Sequence, residues 1–170
     1  MDALRRQLTL FLPSEQSQEI EAFRKAYNPI QFQLIAAHIT LCREDELTQW
    51  NVISQSLSNL EAGNLTVYLQ QPTRFADAKG LSMEPAGSYT DFQHLRKHIL
   101  EDTILEPRDH KPHITLIHPR NGRCTEAIWH MTQQLHFPPS FTFSQISLIE
   151  LKNGGKWETL EVFDLASPSS

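Results

Sequence analysis

His38 and Thr40, and again His113 and Thr115, stand two residues apart inside the same four letters, HITL, at 38–41 and 113–116. On a strand, residues i and i+2 project from one face. Each copy therefore presents an imidazole and a hydroxyl together, with Ile39 and Leu41, or Ile114 and Leu116, turned the other way. An imidazole titrates near neutrality and serves as either acid or base. In-line substitution at a phosphodiester needs one of each: a base for the attacking oxygen and an acid for the oxygen that leaves. Hydroxyls can donate to the non-bridging oxygens as charge builds there. Two imidazoles flanking one phosphate should lie less than roughly 10 Å apart, a phosphate plus one hydrogen bond on each side. His38, Thr40, His113 and Thr115 are thus the candidate catalytic set, and this chemistry calls for neither metal nor cofactor.

A lone histidine on an apolar strand reads as structural. The repetition reverses that reading. The two copies start 75 residues apart in a chain of 170, a spacing that suits a duplicated half-domain better than a short solenoid repeat.

The elements around the motifs repeat as well. Residues 4–12 read as a strand, 14–27 as a helix ended by Asn28-Pro29, and 31–42 as a strand carrying the first motif. Glu44-Asp45-Glu46 opens a helix whose apolar stripe is Leu47, Trp50, Ile53, Leu57 and Leu60, with Gly63 as its C-cap. Two strands follow, 65–75 and 81–84, around Asp77-Ala78-Lys79-Gly80. The second half reads helix 88–100, strand 111–118 with the second motif, and a helix capped by Thr125. Strands at 141–151 and 156–165 then flank Asn153-Gly154-Gly155, a hairpin signal. Residues 167–170 read as a frayed tail. The order predicts an α+β, bilobal protein: two βα lobes, about 1–86 and 87–166, related by a pseudo-two-fold within a single 1–170 domain, with His38 and His113 facing each other.

The motifs AHITLCR and KPHITL resemble those of the two-histidine phosphoesterase superfamily, which includes the bacterial 2′-5′ RNA ligase-like proteins and the RNA cyclic phosphodiesterases. The resemblance implies antiparallel sheets around a central cleft. It implies metal-independent action on 2′,3′-cyclic phosphates or 2′-5′ phosphodiesters, with His38, Thr40, His113 and Thr115 in the catalytic roles. Arg43 matches the arginine that trails the first motif. The second copy has His118 at that place. Parity puts both on the face opposite the motif histidines unless the strand ends first.

Composition narrows the partners. Net charge is −5, and both halves are mildly acidic. Yet 108–123 carries Arg108, Lys111, Arg120 and Arg123 against Asp109 alone. A small basic patch suits one phosphate rather than a long duplex. Arg43, Lys111, His118 and Arg120 are the candidate substrate contacts, and the expected partner is a nucleotide or RNA terminus with a 2′-linked phosphate. A pure binding module on the same fold is the alternative, although binding alone does not need two proton-transfer groups. No apolar run is long enough for a membrane span. The five-residue run 8–12 before Pro13 is too short for a signal peptide. Two cysteines in no metal spacing leave the cytoplasm as the default, and a monomer is expected. His94 and His98, at i and i+4 on a charged helix, read as a solvated face rather than metal ligands. The pair His110 and His113 stays undecided, because Pro112 obscures their directions. Cys42 reads as a small buried thiol. Phe11, Phe32, Tyr89 and Trp157 are the candidates for stacking a base.

Overall fold

The computed structural model describes residues 4–77 and 79–165. Ala78 and the tail at 167–170, for which a turn and fraying are expected, lie outside the described residues. In chain order the elements are β1 (Arg5–Phe11), α1 (Ser14–Tyr27), α2 (Pro29–Leu34), β2 (His38–Cys42), a 3₁₀ turn (Glu44–Glu46), α3 (Trp50–Ser58), β3 (Leu65–Tyr68), β4 (Thr73–Arg74) and β5 (Leu81–Met83). They continue as α4 (Thr90–Leu100), β6 (Ile114–Ile117), α5 (Glu126–Thr132), β7 (Ser140–Phe143), β8 (Gln145–Leu151) and β9 (Trp157–Asp164). The fold is α+β.

Seven strands form one sheet in the order β4-β5-β6-β2-β1-β8-β9, and β3 pairs with β7 in a second sheet. Every strand pair is antiparallel. The seam in the middle of the large sheet is narrow, for β2 and β6 share one register pair, Ile39 with Ile114. On one side of the seam lie β4, β5 and β6. On the other lie β2, β1, β8 and β9.

The 75-residue offset of the two motifs runs through the whole architecture. It carries β1 onto β5, α1 onto α4, β2 onto β6, α3 onto α5 and β4 onto β8. Adding 75 to the bounds of β3, 65–68, gives 140–143, the bounds of β7. Ile39 pairs with Ile114, its own counterpart, so the pseudo-two-fold axis passes through that pair. The halves interleave: β8 joins β1 as β4 joins β5. Among the described residues, helix α2 and strand β9 have no counterpart.

The motif strands bury Ile39, Leu41, Ile114 and Leu116 completely. In β1, Leu8 and Leu10 join them while Phe11 is half-buried and Gln7 and Arg5 are partly open. A single hydrophobic cluster collects Ile20 and Phe23 of α1, Ile53 and Leu57 of α3, Phe92 and Leu95 of α4, and Phe141 and Phe143 of β7. Residues from both halves close one core.

Five local expectations change. The strand over 65–75 is two strands, β3 and β4, in different sheets. The strand over 31–42 begins only at His38, because Pro29 opens α2 at its first position rather than ending structure. Proline lacks the N–H that a helix start leaves unused anyway. Glu44-Asp45-Glu46 forms a separate 3₁₀ turn instead of starting α3. Glu46 is drawn inward to accept two bonds from Arg96 (3.0 and 2.7 Å), and the backbone N–H of Arg43 donates to it as well (2.9 Å). Helix α3 ends at Ser58 with Asn59 as its C-cap, so Gly63, at φ +73°, turns the chain toward β3 instead. The strand over 141–151 is two strands, β7 and β8, in different sheets. Thr125 caps α5 as expected, its side-chain oxygen accepting from Ile128 N–H at 3.2 Å. Gly154 turns the β8–β9 hairpin at φ +73°, where a Cβ would be strained.

Candidate active site

Continuing the Ile39–Ile114 register one residue each way sets His38 opposite Thr115 and Thr40 opposite His113. All four side chains leave the same face of the sheet, and all four are half-buried. Opposite residues in an antiparallel pair have Cβ atoms about 4.5–5.5 Å apart, and diagonal ones about 7–8 Å. The two histidines occupy one diagonal of this square and the two threonines the other. The separation falls within the span of one phosphate and two hydrogen bonds.

Both histidines are oriented alike. The Nδ1–H of His38 donates to the carbonyl of Ala36 at 2.8 Å, and that of His113 to the carbonyl of Lys111 at 3.0 Å. A carbonyl can only accept, so Nδ1 must carry the proton in each ring. The Nε2 is then the nitrogen available for proton exchange. The bond repeats because Ala36 and Lys111 are themselves 75 residues apart. Phe11 meets the His38 ring edge-on at 6.2 Å.

The four residues line a cavity of about 180 Å³. Beside His38 its wall holds Arg24, Gln31, Ile35, His118 and Arg120, and along β1 and β9 it holds Arg5, Gln7 and Trp157. Arg24 is 1% exposed and donates to Glu21 and to the carbonyl of Ile35. Gln7 reaches Thr9 at 2.8 Å and Thr40 at 3.5 Å. The Arg5 guanidinium sits 5.5 Å from the centre of the Trp157 ring.

Desolvation lowers the pKa of His38 to about 4, helped by the nearby Arg24 and opposed by the bond to Ala36. His38 is therefore a neutral imidazole at pH 7. Burial also lowers His118, with Arg120 acting in the same direction.

The expected contact residues divide. His118 and Arg120 line the cavity. Parity alone would turn His118 away, but β6 ends at Ile117 and the chain swings back. The buried Asn28 holds that turn, its Oδ1 accepting from the His118 N–H at 2.8 Å and its Nδ2 donating to Asn121 Oδ1 at 2.9 Å. Gly122 makes room for it, because a Cβ there would lie 2.6 Å from Asn28 Nδ2. Arg43 and Lys111 do not line the cavity; both side chains are exposed. Arg43 sits at the start of the 3₁₀ turn, and Lys111 acts through its carbonyl. Among the aromatic candidates Trp157 lines the cavity and Phe11 supports His38, whereas Tyr89 is tied to Asp109 and Phe32 is not among the lining residues.

Sequence reasoning missed Arg5, Gln7, Arg24 and Gln31. The alternation of Arg5, Gln7, Thr9 and Phe11 on one face of β1 could have signalled the first two. Nothing in the sequence marks Arg24 or Gln31. His94 and His98 are exposed beside a separate cavity of about 380 Å³ that also involves Asp91 and Glu61. Among the described residues, no three His, Cys, Asp or Glu are grouped to hold a metal ion. No helix there is long and apolar enough to cross a membrane. Cys42 is fully buried, which pushes its thiol up to about 12.

This fold is found in solved structures across nearly the whole chain. The apo crystal structure of E. coli LigT superposes with a TM-score of 0.63 at 16% identity, over 98% of this chain and 100% of that one. E. coli LigT complexed with 3′-AMP gives 0.61 at 15%, over 96% and 98%. The Thermus thermophilus protein TT0787 gives 0.59 at 22%, over 97% and 100%. No curated protein matches the chain. The architecture is that of an interleaved, pseudo-two-fold α+β protein with a paired His-Thr square at its axis. The family model of the 2′-5′ RNA ligase superfamily matches residues 12–155, and the chain belongs to that superfamily.

Proposed function

We propose that the protein is a metal-independent phosphodiesterase acting on 2′,3′-cyclic phosphate or 2′-5′ phosphodiester bonds of RNA or nucleotides. The observation that carries this is the His-Thr square, with both Nδ1–H groups tied to the carbonyl two residues upstream. That bond selects the ring nitrogen that exchanges protons and the direction in which it points.

His38, neutral at pH 7, takes the proton from the attacking oxygen. His113, on the other diagonal corner, gives a proton to the oxygen that leaves. Thr40 and Thr115 flank the phosphate and donate to its non-bridging oxygens as negative charge gathers there. Arg24, Arg120 and Arg5 supply positive potential around an anionic substrate, in a site where partial burial weakens solvent screening. Trp157 offers an aromatic surface for a base. By microscopic reversibility the same groups serve ligation, with acid and base exchanged. The 3′-AMP complex of E. coli LigT is consistent with a nucleotide as the partner. Cytoplasmic RNA ends or small nucleotides are the substrate pool this reading implies.

The test is hydrolysis of 2′,3′-cyclic nucleotides and 2′-5′ dinucleotides by the wild-type protein and by His38→Ala and His113→Ala. Turnover that is lost in both variants supports the reading. A protein that binds these nucleotides tightly but never turns them over is instead a binding module.

A further inference from the structure

His110 lies three residues before the second motif histidine and outside the square. Its Nε2–H donates to the main-chain carbonyl of Thr40 at 3.0 Å. Its ring stacks on Phe92, with centroids 6.2 Å apart and planes at 28°, and stands 6.2 Å from the ring of His113. The ring is half-buried, and the charges of Arg96, Glu46 and His113 act on it.

This bond matters because the seam it crosses is weakly joined. One register pair connects β2 to β6, and Pro112, which has no N–H, cannot extend the ladder beyond His113. Side chains supply donors at this point. Arg96 Nη1 donates to the Leu41 carbonyl at 2.7 Å, and His110 to that of Thr40. The path from Thr40 to His113 then runs through defined bonds: the Thr40 carbonyl to His110, the main chain to Lys111, and the Lys111 carbonyl to His113 Nδ1. The counterpart of His110 in the first half is Ile35, a residue with no side-chain donor. The clamp therefore serves one corner of the square and breaks its symmetry.

We infer that His110 is a positioning residue, fixing the separation and alignment of His113 and Thr40 across the seam. The inference rests on the phosphodiesterase reading above. A displacement of about 1 Å at such a site costs on the order of a hundredfold in rate, so loss of the clamp should appear in kcat and leave KM nearly unchanged.

The experiment compares His110→Gln, His110→Phe and His113→Ala in the hydrolysis of a 2′,3′-cyclic nucleotide. Glutamine places an N–H donor near the original Nε2. Phenylalanine keeps the stack on Phe92 and removes the donor. The expected result is that Gln retains kcat within about threefold, while Phe loses about ten- to a hundredfold in kcat with KM within about twofold. A Phe variant that turns over like wild type, beside an inactive His113→Ala, would overturn the inference and leave the function standing. A fully active His113→Ala would overturn both. A Gln variant that folds yet loses as much as Phe would also overturn the inference. Should Phe fail to fold, NMR on the unaltered protein decides: the inference requires a His110 Nε2 proton protected from exchange, and an Nδ1–H tautomer overturns it.

Discussion

Ile39 stands directly opposite Ile114, its own counterpart 75 residues later, and among the described residues no other register pair joins β2 to β6. The pseudo-two-fold axis therefore runs through two fully buried isoleucines. On the open face of the same seam it must relate His38 to His113 and Thr40 to Thr115. A symmetric core pair thus generates a symmetric His-Thr square. The surroundings then make the two histidines unequal, with Arg24 and desolvation at His38 and the His110 clamp at His113.

The two histidines should act as a unit. Replacing either by Ala is expected to lower kcat by about 10²–10⁴-fold, and the double variant should lose far less than the product of the singles. Thr40→Val and Thr115→Val should each lose less than either histidine variant. Steady-state kinetics on 2′,3′-cyclic nucleotides decide this, and a fully active His38→Ala on every tested 2′-phosphodiester would place the site elsewhere.

The pH profile should carry the mark of the buried base. His38 must be neutral to accept a proton, and its pKa is lowered to about 4. The acid limb of kcat/KM is therefore expected near pH 4, well below the roughly 6.5 of a free imidazole. The alkaline limb belongs to the group that must remain protonated, and both limbs are properties of the coupled pair. A strong chelator should leave the profile unchanged. Activity that a chelator abolishes and added metal restores would replace this mechanism with a metal-assisted one.

Substrate affinity should depend on the arginines that reach the cavity. Arg120→Ala and Arg5→Ala are expected to raise KM by about three- to tenfold, the scale of one charge-assisted hydrogen bond partly screened by solvent. Arg43→Ala should leave KM alone, because that side chain does not line the cavity. Equal effects at all three positions would mean that only general positive charge matters.

The Arg96–Glu46 pair should be a stability element. Each side chain is 1% exposed, and the two bonds measure 3.0 and 2.7 Å. Burial disfavours the Glu46 carboxylate, but the bonds from Arg96 and from the Arg43 N–H outweigh it and hold the group below its usual range. Arg96→Met leaves the buried carboxylate with the Arg43 N–H and, at 3.4 Å, the part-exposed Arg108 Nε, and should cost about 3 kcal/mol, read from denaturant unfolding. Arg96→Met combined with Glu46→Met should cost less than Arg96→Met alone. A single-variant cost under about 1 kcal/mol would show that Arg108 takes over the pair.

Acid should destabilise the fold in two stages. His38, His110 and His118 all have lowered pKa values, burial being the first cause of each. The unfolded chain binds their protons near pH ~6.5 while the folded chain resists. Their contribution is complete above that value and lost as pH falls toward about 4, the folded value of His38. Asp45, Glu46 and Glu126 are lowered carboxylates, so their contribution is present above about pH 4.5 and lost below it. Tm should fall from pH ~7 to pH ~4, less steeply in His38→Gln than in wild type. Identical slopes would show that His38 is not desolvated as described.

The four corner residues were legible in the sequence because the signal was local: a side-chain period of two on a strand, repeated at one spacing. The same locality recovered the strand over β1, the Thr125 cap and the Asn153–Gly155 hairpin, where a single residue type fixes the backbone. Local pattern failed where a distant partner decided. Glu44-Asp45-Glu46 has the composition of a helix start, but Arg96, fifty residues on from Glu46, turns it into a 3₁₀ turn with one carboxylate buried. Parity would send His118 away from the cleft, but the buried Asn28 ends the strand early and returns it. Arg5, Gln7, Arg24 and Gln31 reach the cavity because β1 lies beside β2 and because α1 and α2 pack at its end, and adjacency of that kind has no one-dimensional trace. The sequence by itself determined which side chains form the square and that the His-Thr pair occurs twice. Tertiary structure alone decided that the two copies meet at one axis, and that the two histidines have unequal neighbours, because register and neighbouring charge depend on segments that are far apart in the chain.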